Sequence, residues 1–531
     1  MISYIRSWLR KVFRGHSDEY RGETPTQKDG AQRFGSAEVA AAGQPKRPQD
    51  RQKRGAVRQP ESIYNVGLDV GTASTKIVVR DVVRTNRPPV VLRVGDPVDA
   101  YPSIGTPTTI GVHDGKAYFG SDAETLVGGA IKLRSFKMCV ACQHGLFECR
   151  GCPARRDDNG NAVNGQFVLS VEGQVVHFDA QDLFTLYVAW LRTSVSSLLE
   201  SHLAVRDRDR IIWNMSVPLG QIDNDLMSRV FCRMLAMSMA LDGAVESGMD
   251  FALAIELVRG ARTDFRHATD LAKLPISVVP ETLAAIQGFI QRRETALGMY
   301  GIIDVGAGTT DVSFFKLRGW GERALSFYGA GSAPVGGDDF DLGVVDAIAS
   351  KLPVSGDGAL GRAELAMLIR AKRLTGQHTI AVGGREFDLA DPRVHAAEQQ
   401  VASRVWRTAH TVLGPAWRKL KRASLSQWKK LPLLLVGGGS RHPLISEVFR
   451  RHLLLCTEEQ PIVPLSAPSD LVPGPGISAT DINDDNSLLL VAEGLSYPSV
   501  SYPELRMPSE IADLPKPEII ERIDTDELYS T

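Results

Sequence analysis

Two segments far apart in the chain share one pattern of apolar residues, aspartate and glycine, and this repeat restricts the fold more than any other feature. The first is YNVGLDVGTASTKIVV, residues 64–79, and the second is YGIIDVGAGTTDVSFF, residues 300–315. Each contains an apolar strand that ends in aspartate, a short glycine-rich turn with hydroxyl residues, and a second apolar strand. Two such hairpins predict two similar lobes that face one cleft.

The turns of both hairpins have the composition of a phosphate-binding site. Small residues allow backbone N–H groups and hydroxyls to approach a phosphate chain closely. Asp69 and Asp304 end the first strands and supply the hard oxygens that Mg²⁺ prefers, usually through its retained waters. Lys76 either adds charge or merely flanks the second strand. The turn residues are Gly71, Thr72, Ala73, Ser74 and Thr75 in the first hairpin and Gly306, Ala307, Gly308, Thr309 and Thr310 in the second.

Either hairpin alone is equally well explained as an ordinary tight turn, but the pair together favours a clamp for a phosphate chain. The rest of the chain agrees with this interpretation. Its 531 residues, 43% hydrophobic and 23% charged, are typical of a globular protein with several domains. Short apolar runs bounded by glycine alternate with longer helical patterns from about residue 62 onward, which predicts an α/β protein.

Further motifs resemble a known family. DVGTAST at 69–75 and DVGAGTTD at 304–311 resemble the two phosphate motifs of the actin, sugar-kinase and heat-shock-chaperone superfamily. VGGGSRHP at 436–443 resembles the adenosine motif of the DnaK-type chaperones, and VGGDDFDLGVV at 335–345 resembles their signature after the second hairpin. The resemblance covers roughly residues 62–500 and implies an α/β, two-lobed, actin-like ATPase fold with a nucleotide cleft between duplicated domains.

The resemblance also implies roles for individual residues. Asp69, Asp304 and Glu281 in VVPETLAAIQGF would organise Mg²⁺ and its waters, and the hairpin turns would hold the phosphates of ATP. Glu281, Asp304 and Thr309 would be catalytic residues together with a lysine. The catalytic lysine is either Lys137 in LRSFKM or Lys132 in GAIKLR, with Lys137 preferred. The remaining nucleotide-binding candidates are Gly336, Gly337 and Asp338 in the signature, Arg370, Lys372 and Arg373 in AMLIRAKRLTG, and Gly437, Gly438, Gly439 and Arg441 in the adenosine motif.

The chain departs from the family pattern at two positions in the adenosine site. Ile369 stands where these chaperones usually have a glutamate that touches the ribose, and Gly439 replaces a serine. Weaker nucleotide binding is therefore one of the expectations that the sequence leaves open.

Four cysteines form a second candidate site. Cys139, Cys142, Cys149 and Cys152 give two C-x-x-C pairs separated by six residues. Two tight knuckles of this kind could offer four thiolates to one structural Zn²⁺ ion, although an iron–sulfur cluster, disulfides or a redox thiol pair have the same spacing. Four cysteine ligands leave no open position for catalysis. Position alone suggests that this insert couples a partner to the ATPase cycle.

The two ends of the chain carry opposite charge. Residues 1–60 contain 13 Lys or Arg and 6 Asp or Glu, and residues 504–531 contain 8 acidic and 3 basic residues. We expect a basic, mostly disordered arm at 1–61 and an acidic tail at 501–531. Residues 2–13 have the pattern of an amphipathic helix for a peripheral membrane or partner contact, or are simply a frayed end. The predicted location is cytoplasmic, with no specific nucleic-acid binding.

We divide the folded part into a first lobe at 62–285, which includes the cysteine insert 139–152, and a second lobe at 286–500. The residues after the last predicted helix are too few for a peptide-binding domain, so a refolding chaperone is not expected. The leading hypothesis is a chaperone-like ATPase that switches conformation for a protein partner. The alternatives are an actin-like filament subunit, a small-molecule kinase and a nucleotide-binding pseudoenzyme.

Overall fold

The fold follows from a computed structural model that describes most of residues 62–506. The ranges outside its description are 1–61, 147–165, 172, 219–225, 265–270, 292–294, 296, 319–323, 349–361, 375, 383–384, 422–431, 454–461, 466, 468–469 and 507–531. The proposed helix at 2–13, the arm at 1–61 and most of the acidic tail therefore lie outside the described residues.

The first large sheet contains the first glycine-rich hairpin. In the described part of the chain its strand order is β12-β10-β1-β2-β3-β20, with β4 also paired to β2. Strand β1 runs antiparallel to β2 and parallel to β10. Both β1 and β2 are largely buried, as their continuous apolar runs predict. The bounds are β1 Ile63–Val70, β2 Ser74–Asp81, β3 Val90–Leu92, β4 Thr106–Pro107, β10 Arg210–Val217, β12 Ile276–Pro280 and β20 Val472–Pro473.

The second large sheet repeats this arrangement around the second hairpin. Its described strands have the order β19-β18-β13-β14-β15-β21, with β13 antiparallel to β14 and parallel to β18. A hairpin with a parallel neighbour beside its first strand thus occurs in both sheets, as the sequence repeat predicts. The bounds are β13 Gly298–Val305, β14 Thr310–Arg318, β15 Ala324–Ala333, β18 Leu433–Val436, β19 Ile462–Pro464 and β21 Glu504–Arg506.

Smaller sheets decorate the two large ones. One has the order β11-β6-β5-β7, and two hairpins consist of β8 with β9 and β16 with β17. The bounds are β5 Ile110–His113, β6 Lys116–Phe119, β7 Ile131–Leu133, β8 Gln166–Val171, β9 Gln174–Asp179, β11 Met249–Asp250, β16 Thr379–Val382 and β17 Arg385–Asp388.

The described helices pack against these sheets. None of them combines the length and the apolar character that a membrane span requires. Their bounds are α1 Gly120–Thr125, α2 Phe136–Gln143, α3 Ala180–Leu203, α4 Leu226–Ala240, α5 Phe251–Asp264, α6 Glu281–Ile290, α7 Gly337–Ile348, α8 Arg362–Leu374, α9 Pro392–Lys421, α10 Pro443–Leu453, α11 Ala479–Asp485 and α12 Leu490–Ser496.

The chain crosses between the sheets near its C-terminal end. Strand β20 pairs with β3 of the first sheet, and α12 packs against β1 and β2. Leu471, Ile482 and Leu489 share a buried cluster with Val78 of β2 and Val91 of β3. The range 286–500 was expected to form one lobe, but its last part packs on the first sheet. It does so because these apolar residues cover the face of that sheet which contains Val78 and Val91.

The start of the expected acidic tail is also ordered. Strand β21 pairs in parallel with β15 at the edge of the second sheet, although it lies within the range 501–531. Edge pairing of this kind satisfies backbone groups that neither strand could satisfy alone.

Candidate functional site

The first hairpin presents an oriented carboxylate at the end of its first strand. Strand β1 carries Asp69 one residue before its end, and the turn Gly71–Ala73 leads into β2. Ser216 Oγ on the neighbouring β10 donates a 2.9 Å hydrogen bond to Asp69 Oδ1. Lys76 Nζ lies 3.6 Å from Asp69 Oδ2 and donates a 3.2 Å bond to the carbonyl of Ser74. Both oxygens of Asp69 are thus held by the scaffold.

The second hairpin is closed by its own backbone and by the loop that follows β15. Gly306 N donates a 2.8 Å hydrogen bond to Thr309 O across the turn. Gly337 N donates to Gly306 O over 2.8 Å, and Asp338 N donates to Ala307 O over 2.7 Å. The signature segment that begins α7 therefore fixes the position of the second glycine-rich turn.

The two hairpin turns face each other across one cavity. Its volume is about 650 Å³. A Cβ atom placed on Gly308 of the second turn would lie 3.0 Å from Thr72 Cγ2 of the first turn, so the turns are in near contact. Lining residues from the two turns include Asp69, Gly71, Thr72, Ala73, Ser74, Asp304, Gly306, Ala307 and Thr309.

A buried ion pair lies at the side of this cavity. Lys137 on α2 forms a salt bridge with Glu281, the first residue of α6, and only 2% of Lys137 is exposed. Lys132, the alternative candidate, lies on β7, where its Nζ donates a 2.6 Å hydrogen bond to Glu124 O. Of the two lysines, the structure brings Lys137 to the cavity.

Carboxylates gather close to the turns and perturb one another. Asp304 is buried, and burial followed by the charge of Glu281 raises its pKa well above the usual range. Asp311, beside Asp304 across the β13–β14 pair, has a pKa raised by burial and then by Glu281. Concentrated negative charge of this kind fits a hard cation such as Mg²⁺.

A cation that retains its waters needs few direct protein ligands. Within the described ranges, no group of three or more His, Cys, Asp or Glu side chains is arranged to hold a metal ion directly. Mg²⁺ commonly keeps several waters and contacts one or two carboxylates. Asp69 and Asp304 would hold such a hydrated ion at the cavity wall.

The far wall of the cavity is built from alternating charges. Arg370 on α8 bonds to Asp338 and, over 2.9 Å, to Asp341 on α7. Arg373 donates to Asp341 over 2.9 Å and pairs with Glu398 on α9. These charge-assisted hydrogen bonds fix the guanidinium groups in place, and their shared partner Asp341 is buried.

Ile369 and Lys372 of the same helix face elsewhere. Ile369 is fully buried in the cluster between α7 and α8, so its side chain does not reach the cavity. Lys372 Nζ donates to Gln377 Oε1 over 2.7 Å and does not line the cavity, in contrast to its predicted role.

The segment after β18 closes the cavity beside the second hairpin. Gly437 has φ 84° and ψ 161°, a region open essentially to glycine alone. A Cβ atom there would lie 2.5 Å from Val305 O and would also strike the carboxylate of Asp304. Gly437, Gly438, Gly439 and Arg441 all line the cavity.

Several predicted phosphate contacts lie behind the cavity surface. Thr75 Oγ1 is 3.0 Å from both Thr108 Oγ1 and Tyr187 Oη, and Thr75 is fully buried. Thr310 Oγ1 donates a 2.6 Å bond to Val335 O. Gly308 and Gly336 pack against neighbouring turns and do not line the cavity. Thr75 and Thr310 brace the hairpins from behind, because strand alternation turns every second side chain away from the cleft.

Other residues at the cavity or directly behind it were given no role from the sequence. Asp311 ends the motif DVGAGTTD, so its position in the motif was the signal that could have found it. The other residues come from distant strands, loops and helices with no local motif, and only the fold brings them together. They are Tyr101, Glu398 and Asp485, which line the cavity, and Ser216, which bonds to Asp69; Asp341 and His442 also line the cavity but lie within the signature and adenosine motifs.

Only the first cysteine pair can be placed. Cys139 and Cys142 lie one turn apart on helix α2, where Cys139 is buried in the core and Cys142 is half-buried. A tight knuckle was expected at this pair, and the structure has a helix instead because Phe136, Val140 and Ala141 are packed against α3. Cys149 and Cys152 lie outside the described residues, so the zinc site stays a prediction.

Comparison with known proteins gives partial similarities. No profile of a known protein family matches the chain. The chain is 26% identical over 236 residues to the chaperone protein HscA homolog of Variovorax paradoxus, a match that covers 43% of this chain and 36% of that protein. It is also 26% identical over 258 residues to HscA of Edwardsiella ictaluri, covering 46% and 39% of the two chains.

A third relative is HscA of Klebsiella pneumoniae, 30% identical over 174 residues, which covers 32% of this chain and 26% of that protein. The matches thus span little more than a third of the length of the first relatives. They support the α/β ATPase superfamily of DnaK-like chaperones that the hairpin and adenosine motifs indicated.

Proposed function

We propose that this protein is a chaperone-like ATPase that binds and hydrolyses Mg-ATP between two lobes and passes its nucleotide state to a protein partner. The observation that carries the proposal is the meeting of two Asp-Gly hairpins at one cavity, with the Lys137–Glu281 pair beside them. The relatives that match the chain are named as chaperones, which favours a chaperone-like ATPase over a filament subunit or a kinase.

The chain's own residues suit phosphoryl transfer to water. Backbone N–H groups of Thr72 and Ala73 in the first turn and of residues 307–309 in the second would bind the phosphate oxygens. The ammonium of Lys137 would neutralise charge on the γ-phosphate, and Glu281 would orient that ammonium. A water oxygen forms a bond to the γ-phosphorus while the bond to the β–γ bridging oxygen breaks, and a proton of that water passes to solvent, which gives ADP and inorganic phosphate.

Mg²⁺, when bound, would screen the charge of the β- and γ-phosphates. Asp69 and Asp304 would accept hydrogen bonds from its waters, each from the end of a central strand. Because the two aspartates belong to different sheets, a bound ion would favour the closed arrangement of both hairpins. Closure and reopening of the cavity is the proposed switch.

Zinc binding by the four cysteines is a separate part of the proposal, supported by their spacing. Helix α2 carries both Lys137 and the first cysteine pair, so a metal bound there would steady the proposed catalytic lysine. Metal analysis of the purified protein and of Cys142→Ser tests this part; an equal zinc content in both would argue against it.

The main test is Mg-ATP turnover by the full chain, compared with Asp304→Ala and Thr309→Ala. A matched control is Thr411→Ala, an exposed threonine on α9 away from the cavity. We expect turnover to fall at least about 100-fold in both cavity variants, as is typical when a transition-state contact is removed. Wild-type turnover that survives in both variants, or a wild type that does not bind ATP, would contradict the proposal.

A further inference from the structure

The C-terminal crossover segment touches the cavity from the side of the first sheet. Residues 471–492 pack on β2 and β3 through the apolar cluster described above. Arg441, by contrast, follows β18 of the second sheet. Any contact between Arg441 and the crossover segment therefore joins the two halves that border the cavity.

Asp485 makes such a contact with both of its carboxylate oxygens. Arg441 Nη1 donates a 2.8 Å hydrogen bond to Asp485 Oδ1. The backbone N–H and the hydroxyl of Ser103 donate to Asp485 Oδ2 over 3.1 and 3.3 Å. Asp485 is buried, with 9% exposure, whereas the Arg441 side chain is 36% exposed, so the carboxylate end of this charge-assisted pair is shielded from water and the guanidinium end is not.

Arg441 is held at two further points on the same segment. Its Nε donates a 3.0 Å bond to Ser487 Oγ, and its Nη2 donates a 3.0 Å bond to the carbonyl of Asp484. All three contacts lie within the stretch 484–487, so they fix the plane of the guanidinium group as well as its position.

The loop that carries Ser103 is tied to the crossover segment by a second cation. Arg93, which is also buried, bonds to the carbonyl of Ser103 and donates a 2.7 Å bond to Gly476 O. Tyr101 and Pro102 of this loop line the cavity. The loop and the crossover segment therefore form one hydrogen-bonded unit on the cavity wall.

We propose that Asp485 is a positioning residue that latches Arg441 to the Ser103 loop and thereby slows the release of nucleotide from the cavity. The inference rests on the proposed function and on the resemblance of VGGGSRHP to the adenosine motif, which implies that Arg441, a residue of the cavity wall, lies along the adenine of bound ATP. A bound base packed on the latched guanidinium would be trapped between the two halves, and opening the cavity at this end would break the Arg441–Asp485 pair.

The test compares Asp485→Asn with Asp484→Asn, an exposed neighbour whose side chain takes no part in the latch. Both changes remove one negative charge from adjacent positions. Release of an ATP analogue with a fluorescent group on its ribose is followed by stopped flow after a chase with excess ATP. We expect release from Asp485→Asn to be about tenfold faster than from the wild type, as for loss of one charge-assisted hydrogen bond, and unchanged in Asp484→Asn.

A second ligand distinguishes an effect on the position of Arg441 from a structural disruption of the whole cavity. Inorganic tripolyphosphate has no base, so its affinity depends on the hairpin turns and not on Arg441. We expect its dissociation constant to be the same in Asp485→Asn and the wild type, measured by calorimetry with Mg²⁺. Equal weakening of both ligands would show that the change is structural, and it would overturn the latch.

A milder variant tests the same contact in case Asp485→Asn does not fold. Ser487→Ala removes only the hydroxyl that accepts a hydrogen bond from Arg441 Nε. We expect it to release the nucleotide faster than the wild type does but more slowly than Asp485→Asn does. Unchanged release in both Asp485→Asn and Ser487→Ala would overturn the latch alone. A wild type that binds tripolyphosphate but not ATP would overturn the proposed function and the latch with it.

Discussion

The close approach of Gly437 to the second hairpin allows a prediction that does not depend on function. In Gly437→Ala, the new methyl group would meet Val305 O at 2.5 Å and would also contact the Asp304 carboxylate. The backbone carbonyl cannot move without disturbing the β13–β18 pairing, in which Asp304 lies beside Val436. The φ of 84° with ψ of 161° adds strain for any residue other than glycine.

The expected cost follows from these two effects. Residues in such a backbone region cost about 1–3 kcal/mol, and overpacking a well-packed site costs about 1–3 kcal/mol more. We therefore expect Gly437→Ala to lower the free energy of unfolding by about 2–6 kcal/mol. Urea unfolding followed by circular dichroism, without nucleotide, measures the difference.

The neighbouring glycine provides the matched control. A Cβ atom on Gly438 would meet only Leu488 Cδ2 at 3.4 Å, which is an ordinary contact. Because alanine restricts the unfolded chain more than glycine does, Gly438→Ala should change stability by less than about 1 kcal/mol. If the two variants unfold at the same urea concentration, the steric argument is refuted.

Three further results are expected. Lys137→Ala should reduce ATP turnover at least about 100-fold, because it removes the ammonium at the cavity, whereas Lys132→Ala should not; equal losses in a turnover assay would contradict the placement of the catalytic lysine. Burial and then the charge of Glu281 raise the pKa of Asp311 to about 7. The protonated carboxyl therefore stabilises the folded state fully below about pH 4, and this stabilisation is lost as the pH rises through 7. Urea unfolding should therefore show that the free energy of unfolding falls less between about pH 5.5 and 7.5 in Asp311→Asn than in the wild type. An equal fall in both proteins would refute the raised pKa of Asp311. Thr75→Val should lower the free energy of unfolding by about 1–3 kcal/mol in a urea titration, because it leaves the hydroxyls of Thr108 and Tyr187 with one partner fewer; an unchanged midpoint would show that Thr75 does not brace the hairpin.

The elements nearest the repeat were the most predictable. Both hairpins form where the apolar runs, the aspartates and the glycine-rich turns predicted them, with Val70 opposite Thr75 and Val305 opposite Thr310. Such hairpins depend on residues close in sequence, so a local pattern contains most of the information that specifies them.

Side-chain direction was less predictable within the same hairpins. Thr75 and Thr310 were expected to contact phosphates because they follow the glycines, but both face inward and hydrogen-bond to the scaffold. A hydroxyl beside a glycine-rich turn can serve either purpose. The choice depends on which neighbour, such as Tyr187 of α3, packs behind the strand.

The sequence by itself determined the duplicated hairpins, the aspartates at their strand ends and the order of the motifs, because each is a local pattern with a direct backbone consequence. Tertiary structure decided which lysine reaches the cavity, where residues 471–496 pack, and that Asp485 meets both Arg441 and Ser103. The polar contacts among these join residues that are 44 to 382 positions apart in the sequence. The contacts of Asp485 follow from the burial of apolar surfaces on the crossover segment and the first sheet against each other, and no local pattern records which surface will cover which.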